Sequence, residues 1–223
     1  MKKLVICSGG LDSVGMAVIE SREHDVTLVN FNYGQKGSSE LAVCRAVAGR
    51  LGLPLVRLDV SGLLDIFGNN QLTDSNFMVE GQYQQSVVVP LRNALFCQVA
   101  MIYATSHGFD EIVLGSHTDD IVEVDGERLY PDCSIEFFKT FELAMQFGKF
   151  RKDRVVKINS ASIQGMSKAD IIRKTYSIDK DILFMTWSCY LSGDKQCGVC
   201  ESCLNRKKAF ALAGIKDLTE YER

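Results

Sequence analysis

The chain has 223 residues, of which 46% are hydrophobic and 24% are charged, and its formal net charge is −3. This composition is typical of a globular protein with a sizeable core, and the length suits one α/β domain with a small appendage. The acidic balance, the absence of a signal peptide and the absence of a bilayer-length apolar run together predict a cytoplasmic protein without membrane contact or direct nucleic-acid binding.

A phosphate-binding loop is predicted between the apolar residues 4–7 and a helix over residues 14–20. It consists of Ser8, Gly9, Gly10, Leu11, Asp12 and Ser13. A buried strand that ends in small residues and continues as a helix directs several N–H groups at one point, which binds anions. The glycines allow a phosphate to approach, the serines add donors, and Asp12 can hold Mg²⁺. The loop fits neither a Walker A motif nor a dinucleotide fingerprint, and it resembles the SGGxDS signature of ATP pyrophosphatases.

Strands alternate with helices along the rest of the chain. We predict strands over residues 25–31, 54–60, 87–89 and 111–115, and helices over residues 39–51, 92–107, 134–147 and 204–213. This alternation indicates a parallel sheet with right-handed crossovers, in which ligands collect at the carboxyl ends of the strands. The polar loop 31–35 follows a strand and therefore joins that edge. Residues 61–86 show no periodic pattern, and a connection of this length indicates a lid or an interface segment.

Two cations lie where a helix dipole disfavours them. Arg92 begins a predicted helix, and Lys168 lies in the first turn of another helix, which the capping-box spacing of Ser167 and Asp170 marks. A cation near the positive end of a helix is mildly destabilised, so both positions hint at a bound anion. We predict that they hold a triphosphate or a carboxylate substrate, and the alternative for Arg92 is a solvated side chain.

A second polar segment follows the predicted strand 111–115. His117, Asp119 and Asp120 can bind a metal, a ribose or an amino group of a base, and the neighbouring carboxylates need a cation nearby. The alternative is an acidic surface loop with an uninvolved histidine. Asp132 precedes the next predicted helix and is a candidate for its N-cap.

Four of the eight cysteines crowd into a short segment near the C-terminus. They are Cys189, Cys197, Cys200 and Cys203. Four thiolates in one compact loop complete a closed tetrahedral Zn²⁺ site, so we predict a structural zinc ion that ties the last helix to the domain. An iron–sulfur cluster is the chemical alternative. We divide the chain into an ATP pyrophosphatase α/β domain, residues 1–180, and a zinc segment with a closing helix, residues 181–223.

From Leu4 to about Gly214 the chain resembles the QueC family of 7-cyano-7-deazaguanine synthases. The similar motifs are SGGLDS at 8–13, FNYGQ at 31–35, LTD at 72–74, VPLRN at 89–93, YPDC at 130–133, SKADI at 167–171 and TWSCY at 186–190. The order of all these motifs makes the resemblance specific. It implies an α/β fold of the Rossmann-like adenine nucleotide alpha hydrolase (HUP) type, in which a parallel sheet is followed by a zinc-binding segment.

The resemblance implies a ligase that uses ATP to convert 7-carboxy-7-deazaguanine to the nitrile in queuosine biosynthesis. The carboxylate attacks the α-phosphate, ammonia displaces AMP to give the amide, and a second ATP activates the amide for dehydration. Asp12, Arg92 and Lys168 are the implied catalytic residues, and the loop 8–13 binds ATP with Mg²⁺. The implied substrate-binding residues are Tyr33, Gln35, Asn93, Asp119, Tyr130 and Asp132. A homodimer is implied as well, with the long loop near its interface.

One departure from the family concerns the wall of the substrate pocket. Family members typically join the strand after Gly115 to the YPDC motif by a short segment, whereas this chain inserts residues 121–129. The first alternative is therefore a QueC-like enzyme of an antiphage defence system that conjugates the adenylated deazaguanine to a protein amine. The second alternative is a tRNA-thiolating ATP pyrophosphatase, and the third is a non-enzymatic zinc-containing binding module.

Overall fold

The computed structural model describes residues 1–34, 39–63, 91–121, 123–124, 126–128, 130–150, 152, 154–191 and 193–223. The predicted site residue Gln35, the predicted strand 87–89 and nearly all of the predicted lid 61–86 lie outside these residues.

Parallel strands form the centre of the part of the chain that is described. The strands are β1 (Lys2–Ile6), β2 (Asp25–Asn32), β3 (Leu55–Asp59), β4 (Glu111–Leu114), β5 (Glu123–Val124), β6 (Glu127–Arg128) and β7 (Lys157–Ser160). Five of them make one parallel sheet in the order β3-β2-β1-β4-β7, whereas β5 and β6 form a small antiparallel hairpin. Val5 on the central strand pairs with Leu28 on β2 and with Val113 on β4. The strand order reverses at β1, which creates a crevice between the ends of β1 and β4.

Helices cover both faces of this sheet. They are α1 (Leu11–Glu20), α2 (Ser39–Leu51), α3 (Arg92–His107), α4 (Ile135–Gly148), α5 (Lys168–Ile178), α6 (Lys180–Met185) and α7 (Glu201–Ala213). Successive strand residues point to opposite faces, so Val5 packs with α1, α2, α5, α6 and α7, and Leu4 packs with α3 and α4. Among the described residues, we find no helix with the length and apolar character needed to cross a membrane.

The predicted α/β fold with a parallel sheet is confirmed. One cap was assigned wrongly: Ser134, not Asp132, is the N-cap of α4, and its hydroxyl accepts the N–H of Phe137 at 3.2 Å. Strand β7 and helix α6 were not predicted. In β7 the only apolar residue is Ile158, because this short strand lies at the edge of the sheet.

The C-terminal helix belongs to the same core as the sheet. Ala209 and Phe210 on α7 pack in one hydrophobic cluster with Ile171 and Ile172 on α5. The predicted last helix begins three residues earlier than expected, at Glu201, because Cys200 serves as its N-cap. The division of the chain at residue 180 stays a prediction.

Helices α1 and α5 pack closely at Gly15, where a Cβ atom would lie 2.3 Å from Ile171 Cγ2. We predict that Gly15→Ala lowers the free energy of unfolding by about 1–3 kcal/mol, because the added methyl overpacks this contact. Gly49→Ala on α2 is the matched control, since nothing lies within 4 Å of its Cβ position. The control should raise the free energy of unfolding by about 0.5–1 kcal/mol. Urea unfolding measures both variants, and equal stability of the two would contradict this packing.

Candidate active site

A cavity of about 330 Å³ opens at the carboxyl ends of β1, β2 and β4. Its wall includes Ile6 at the end of β1, Phe31 on β2 and Leu114 on β4. The predicted site residues that line it are Ser8, Gly10, Leu11, Asp12, Ser13, Tyr33, Arg92, Asn93, Tyr130, Asp132 and Lys168. Gly9 and Asp119 are not among the lining residues. The fold thus brings together predicted site residues that are up to 160 positions apart in the sequence, from Ser8 to Lys168.

The loop 8–13 connects β1 to α1, and hydrogen bonds within the loop fix its shape. The Ser13 hydroxyl donates to the carbonyl of Gly10 at 3.1 Å and accepts the N–H of Ser8 at 3.1 Å. The Ser8 hydroxyl accepts the N–H of Gly10 at 3.1 Å. The hydroxyls therefore hold the loop in place, and the N-terminus of α1 faces the cavity with a glycine at its N-cap. Such a helix end attracts anions.

Two glycines allow other elements to approach this loop. Gly9 has φ +95°, and a Cβ there would lie 2.3 Å from the carbonyl oxygen of Glu40. A Cβ at Gly115 would lie 2.8 Å from the backbone nitrogen of Ser13. The carbonyl of Gly9 also accepts the N–H of Trp187 at 3.0 Å. The loop is therefore enclosed by α2, by the end of β4 and by the segment before the cysteine cluster.

Asp12 and Lys168 form an ion pair at the mouth of this loop. The Lys168 Nζ donates to Asp12 Oδ2 at 2.7 Å, and His117 Nε2 lies 3.6 Å from Asp12 Oδ1. Burial alone raises the pKa of Asp12, but Lys168 and His117 outweigh it and bring the pKa below its usual value. Asp12 Oδ1 is buried and accepts no hydrogen bond from the described residues. An ionised, partly unpartnered oxygen of this kind suits a hard cation.

The segment 117–120 continues this charged cluster. His117 is only 5% exposed, and its N–H donates to Asp120 Oδ2 at 2.9 Å, so it is not part of an exposed surface loop. Asp119 Oδ2 accepts the N–H of Lys168 at 2.9 Å and thereby helps to cap α5, although its side chain is 56% exposed. Burial raises the pKa of Asp120, and the charge of Asp12 adds to this shift while His117 opposes it.

Arg92 and Tyr33 lie together on the cavity wall. Arg92 Nη1 donates to Tyr33 Oη at 3.4 Å, and the guanidinium lies 5.9 Å from the centre of the tyrosine ring. Burial lowers the pKa of Arg92, but Tyr33 and Asp132 outweigh it and bring the pKa above its usual value. The guanidinium is therefore a permanent positive charge in the cavity, not a solvated surface group.

Glu40 also lines the cavity, and the sequence analysis missed it. It lies in the first turn of α2, directly after the loop that follows β2. Burial raises its pKa from 4.5 to about 7, and Arg92 opposes the shift only in part. The sequence signal that could have indicated Glu40 is its acidic side chain in the helix that follows β2, a strand whose end lines the cavity.

Asp132 connects the YPDC segment to the start of α3. Its Oδ2 accepts the N–H of Asn93 at 3.0 Å, and its backbone carbonyl accepts from Asn93 Nδ2 at 3.4 Å. Asp132 thus satisfies an N–H group of the first turn of α3, whose own N-cap, Leu91, has φ 52° and no capping side chain. Burial raises the pKa of Asp132, and the Asn93 N–H and Arg92 oppose this shift.

Tyr130, Tyr190 and Glu201 line another part of the cavity. Tyr130 Oη donates to Glu201 Oε1 at 3.1 Å, and Glu201 is only 2% exposed. Burial raises the pKa of Tyr130 above its usual value, and Tyr190 and Glu201 raise it further. Glu201 was not predicted, although its place between two cysteines of the predicted metal site could have indicated a fixed position.

The four predicted metal ligands come together in one buried cluster. They are Cys189, Cys197, Cys200 and Cys203, and their sulfur atoms all lie within 4.8 Å of one another. The Sγ atoms of Cys197 and Cys203 are 3.9 Å apart, close to the roughly 3.8 Å that a tetrahedral ion with about 2.3 Å bonds to sulfur requires. Backbone N–H groups of Leu191 and Cys197 donate to Cys189 Sγ at 3.4 Å. The donor set therefore fits a metal ion.

Comparisons with known proteins identify the relatives of this chain. The family model described as "Queuosine biosynthesis protein QueC" matches residues 2–214. The 7-cyano-7-deazaguanine synthase of Ruegeria sp. (strain TM1040) is 37% identical over 226 residues, covering 99% of this chain and 93% of that protein. The 7-cyano-7-deazaguanine synthase of Brucella ovis is 37% identical over 227 residues, covering 100% and 94%. The resemblance predicted from the sequence motifs is therefore confirmed over nearly the whole chain.

A solved structure supports the fold alone. NMN synthetase from Francisella tularensis superposes with a TM-score of 0.52 at 12% sequence identity, covering 96% of this chain and 78% of that one. At this identity the likeness carries no information about substrates.

The raised pKa of Glu40 predicts a pH-dependent loss of stability. In the unfolded chain Glu40 loses its proton near 4.5, whereas in the nucleotide-free fold it keeps the proton up to about pH 7. Its contribution is therefore complete below pH 4.5 and is lost as the pH rises to about 7. Glu40→Gln should remove this loss. The difference in the free energy of unfolding between this variant and the wild type should therefore grow in favour of the variant between pH 4.5 and about 7, by at most about 3 kcal/mol.

Urea unfolding at several pH values within that window measures the difference. Glu23→Gln is the control, because Glu23 is exposed and should follow the wild type. A constant difference between Glu40→Gln and the wild type at all pH values would contradict the raised pKa of this carboxyl.

Proposed function

The chain belongs to the QueC family, and from this premise we propose that it converts 7-carboxy-7-deazaguanine to 7-cyano-7-deazaguanine with ATP, in queuosine biosynthesis. The observation that carries the proposal is the single cavity onto which the loop 8–13, Lys168 and Arg92 all face. Relatives named 7-cyano-7-deazaguanine synthase match this chain over its full length. The reaction class is a carbon–nitrogen ligase that releases AMP and pyrophosphate.

In this proposal the loop 8–13 holds the phosphates of ATP. The N–H groups at the start of α1 bind the anion, and Gly10 on the cavity wall allows it to approach. Lys168 and Arg92 neutralise charge that develops on the phosphates. Asp12 would hold Mg²⁺ through Oδ1, the buried oxygen without a hydrogen-bond partner among the described residues. Bound Mg²⁺ would screen the charge of the triphosphate.

The reaction proceeds through an acyl-adenylate. The carboxylate of the substrate attacks the α-phosphate and pyrophosphate leaves; ammonia then displaces AMP and gives the amide. The amide oxygen then attacks the α-phosphate of a second ATP, which releases pyrophosphate and a proton from nitrogen; loss of AMP with the remaining nitrogen proton leaves the nitrile. The protein contributes positioning and charge stabilisation, and no side-chain nucleophile is needed. The substrate-binding residues proposed for this pocket are Tyr33, Asn93, Tyr130 and Asp132. Asp119, the other residue that the resemblance implied, does not line the cavity.

The tRNA-thiolating alternative is less well supported, because it needs a reactive cysteine in the cleft. Cys133 lines the cavity, but burial raises its pKa, and Asp120 and Asp132 raise it further. A thiol in such surroundings is a poor nucleophile.

A protein amine in place of ammonia is the second candidate for the acceptor. The observation that favours it is the β5–β6 hairpin, which occupies the inserted segment just before Tyr130 of the cavity wall. Arg128 of the hairpin lies 3.4 Å from Glu136 on α4 and 4.0 Å from Glu123. An added element next to the pocket can position a second macromolecule, whereas ammonia needs none.

The metal that we propose for the cysteine cluster is a structural Zn²⁺. A single ion lets four sulfurs approach as closely as they do here, whereas an iron–sulfur cluster occupies the space between its ligands. Four thiolates leave no open position, so the ion would hold α7 and the segment around Cys189 together.

The proposed homodimer has support in the surface of α4. The side chains of Leu143 and Phe147 are 53% and 85% exposed and lie one helical turn apart. Phe150, directly after this helix, is 81% exposed. Neighbouring apolar side chains on a surface are typical of a contact between protein chains.

Product analysis tests the proposed reaction. The protein is incubated with ATP, Mg²⁺ and 7-carboxy-7-deazaguanine, with and without ammonium, and the products are identified by mass spectrometry. We expect pyrophosphate and AMP, and we expect amide and nitrile only when ammonium is present. AMP release without nitrile, or an added protein that gains the mass of the deazaguanine, would show instead that the enzyme conjugates the deazaguanine to a protein amine.

The same assay tests the role of Lys168. We predict that Lys168→Met lowers the rate of pyrophosphate release on the order of 10²- to 10³-fold, because a buried charge that stabilises the transition state is lost. Lys174→Met is the matched control, since Lys174 is an exposed lysine of the same helix. Equal rates for the two variants would remove Lys168 from the mechanism.

Metal analysis tests the zinc site. We predict that the purified protein carries one zinc ion per chain, and that Cys200→Ser loses it and unfolds at lower urea concentration. Cys97→Ala is the control, because Cys97 is a buried cysteine in the separate core beneath α3. It should keep the metal despite a loss of stability. If the wild type contains iron and sulfide in place of zinc, the cluster is an iron–sulfur site and the zinc proposal is wrong.

A further inference from the structure

The carboxylate of Glu201 has no role in the reaction described so far. It lies on the cavity wall, is 2% exposed and is held by Tyr130 Oη at 3.1 Å. Tyr190 lines the cavity as well. A buried carboxylate is costly unless donors satisfy it, so its presence in a ligand cavity requires an explanation.

The position of Glu201 is fixed by its surroundings. It is the first residue of α7, where the helix dipole favours a negative charge. Cys200 and Cys203 on either side belong to the metal cluster, so metal binding would fix the backbone that carries the carboxylate. A rigid, acceptor-only group of this kind is suited to selecting a ligand by its donors.

The aspartates of the cavity accept hydrogen bonds from protein donors, as Glu201 does from Tyr130. Asp12 accepts from Lys168 Nζ, Asp120 from the N–H of His117, and Asp132 from the N–H of Asn93. These contacts stabilise the phosphate end and the loops of the cavity. Glu201 differs because its carboxylate adjoins the aromatic side chains of Tyr130 and Tyr190, which are surfaces on which a planar base can stack.

A guanine-type base and adenine differ in how their hydrogen-bonding edges fit a carboxylate. A guanine-type base presents N1–H and a 2-amino group, which are two donors side by side. Adenine presents an N1 acceptor beside its 6-amino group, and this acceptor would face a carboxylate oxygen. The proposed reaction brings both kinds of base into one cavity, so the site must separate them.

We propose that Glu201 is the specificity-determining residue of this site, and that its carboxylate accepts hydrogen bonds from N1–H and the 2-amino group of the deazaguanine. Tyr130 positions the carboxylate through its hydroxyl group. The proposal rests on the proposed function, because it assigns a residue to the base of that substrate. It explains why a buried acid is placed between two metal-ligating cysteines.

The test is a comparison of two ligands with two proteins. Binding of 7-carboxy-7-deazaguanine and of its analogue without the 2-amino group is measured by calorimetry in the absence of ATP. For the wild type, loss of the amino group should raise Kd about 10- to 100-fold. Glu201→Gln should bind the parent ligand weaker by a similar factor, and loss of the amino group should then cost little more.

Glu136→Gln is the matched control, because Glu136 is an exposed glutamate in the first turn of α4. It should keep the wild-type preference for the amino group. Metal content and thermal unfolding of Glu201→Gln are measured in parallel to confirm that the fold is intact. Tyr130→Phe is a second variant, and it should weaken binding about 3- to 10-fold while retaining the preference.

Several results would overturn the proposal. The first is a wild-type protein that binds both ligands equally, and the second is a folded Glu201→Gln variant with wild-type preference. Failure of the proposed function is recognised separately, because the wild type would then form no AMP with 7-carboxy-7-deazaguanine. Turnover by the wild type together with unchanged preference in Glu201→Gln overturns only the role of Glu201.

Discussion

The close approach of three elements to the loop 8–13 determines the rest of the site. Gly9 leaves no space for a side chain next to the carbonyl of Glu40, and Gly115 leaves none next to Ser13. The N–H of Trp187 bonds to Gly9 on a third side. These contacts bring α2, the end of β4 and the segment before the metal cluster around one helix N-terminus. The cavity walls are therefore set by backbone packing before any side chain contributes chemistry.

Charge in the cavity is balanced for a polyanionic ligand. The carboxylate of Asp12 is paired with Lys168, whereas burial keeps Glu40 largely protonated below a pH of about 7. A protonated Glu40 does not repel phosphates, and Arg92 beside it stays positive. The helix N-terminus, Lys168 and Arg92 therefore supply the positive charge of the cavity, whose wall also includes the acids Asp120, Asp132 and Glu201.

Local patterns predicted the parts of the site that depend on neighbouring residues in sequence. The strand–loop–helix around the loop 8–13, the capping box of Ser167 with Asp170 and the cysteine spacing are such patterns. Contacts between distant segments were not predictable in this way. Asp132 was expected to cap the helix that follows it, but it bonds to Asn93 on another helix. Glu40 and Glu201 were missed because burial, not a motif, makes them notable.

Helix α7 connects the cysteine cluster to the loop 8–13 through Arg206. This residue is fully buried, and its guanidinium donates to Thr186 Oγ1 at 2.7 Å and to Ser188 Oγ at 3.1 Å. Burial lowers the pKa of Arg206, and Asp217, whose carboxylate lies 3.9 Å away, opposes this shift.

The segment 186–188 that Arg206 holds is the one that bonds to Gly9. The same helix therefore carries Cys203 of the cluster, the carboxylate of Glu201 and Arg206, and Cys200 is its N-cap. Because these groups share one rigid element, loss of a bound metal would displace the cavity wall at Glu201 and the segment that bonds to Gly9 together. This coupling gives a physical reason why a four-cysteine cluster that can hold a metal lies directly beside the cavity.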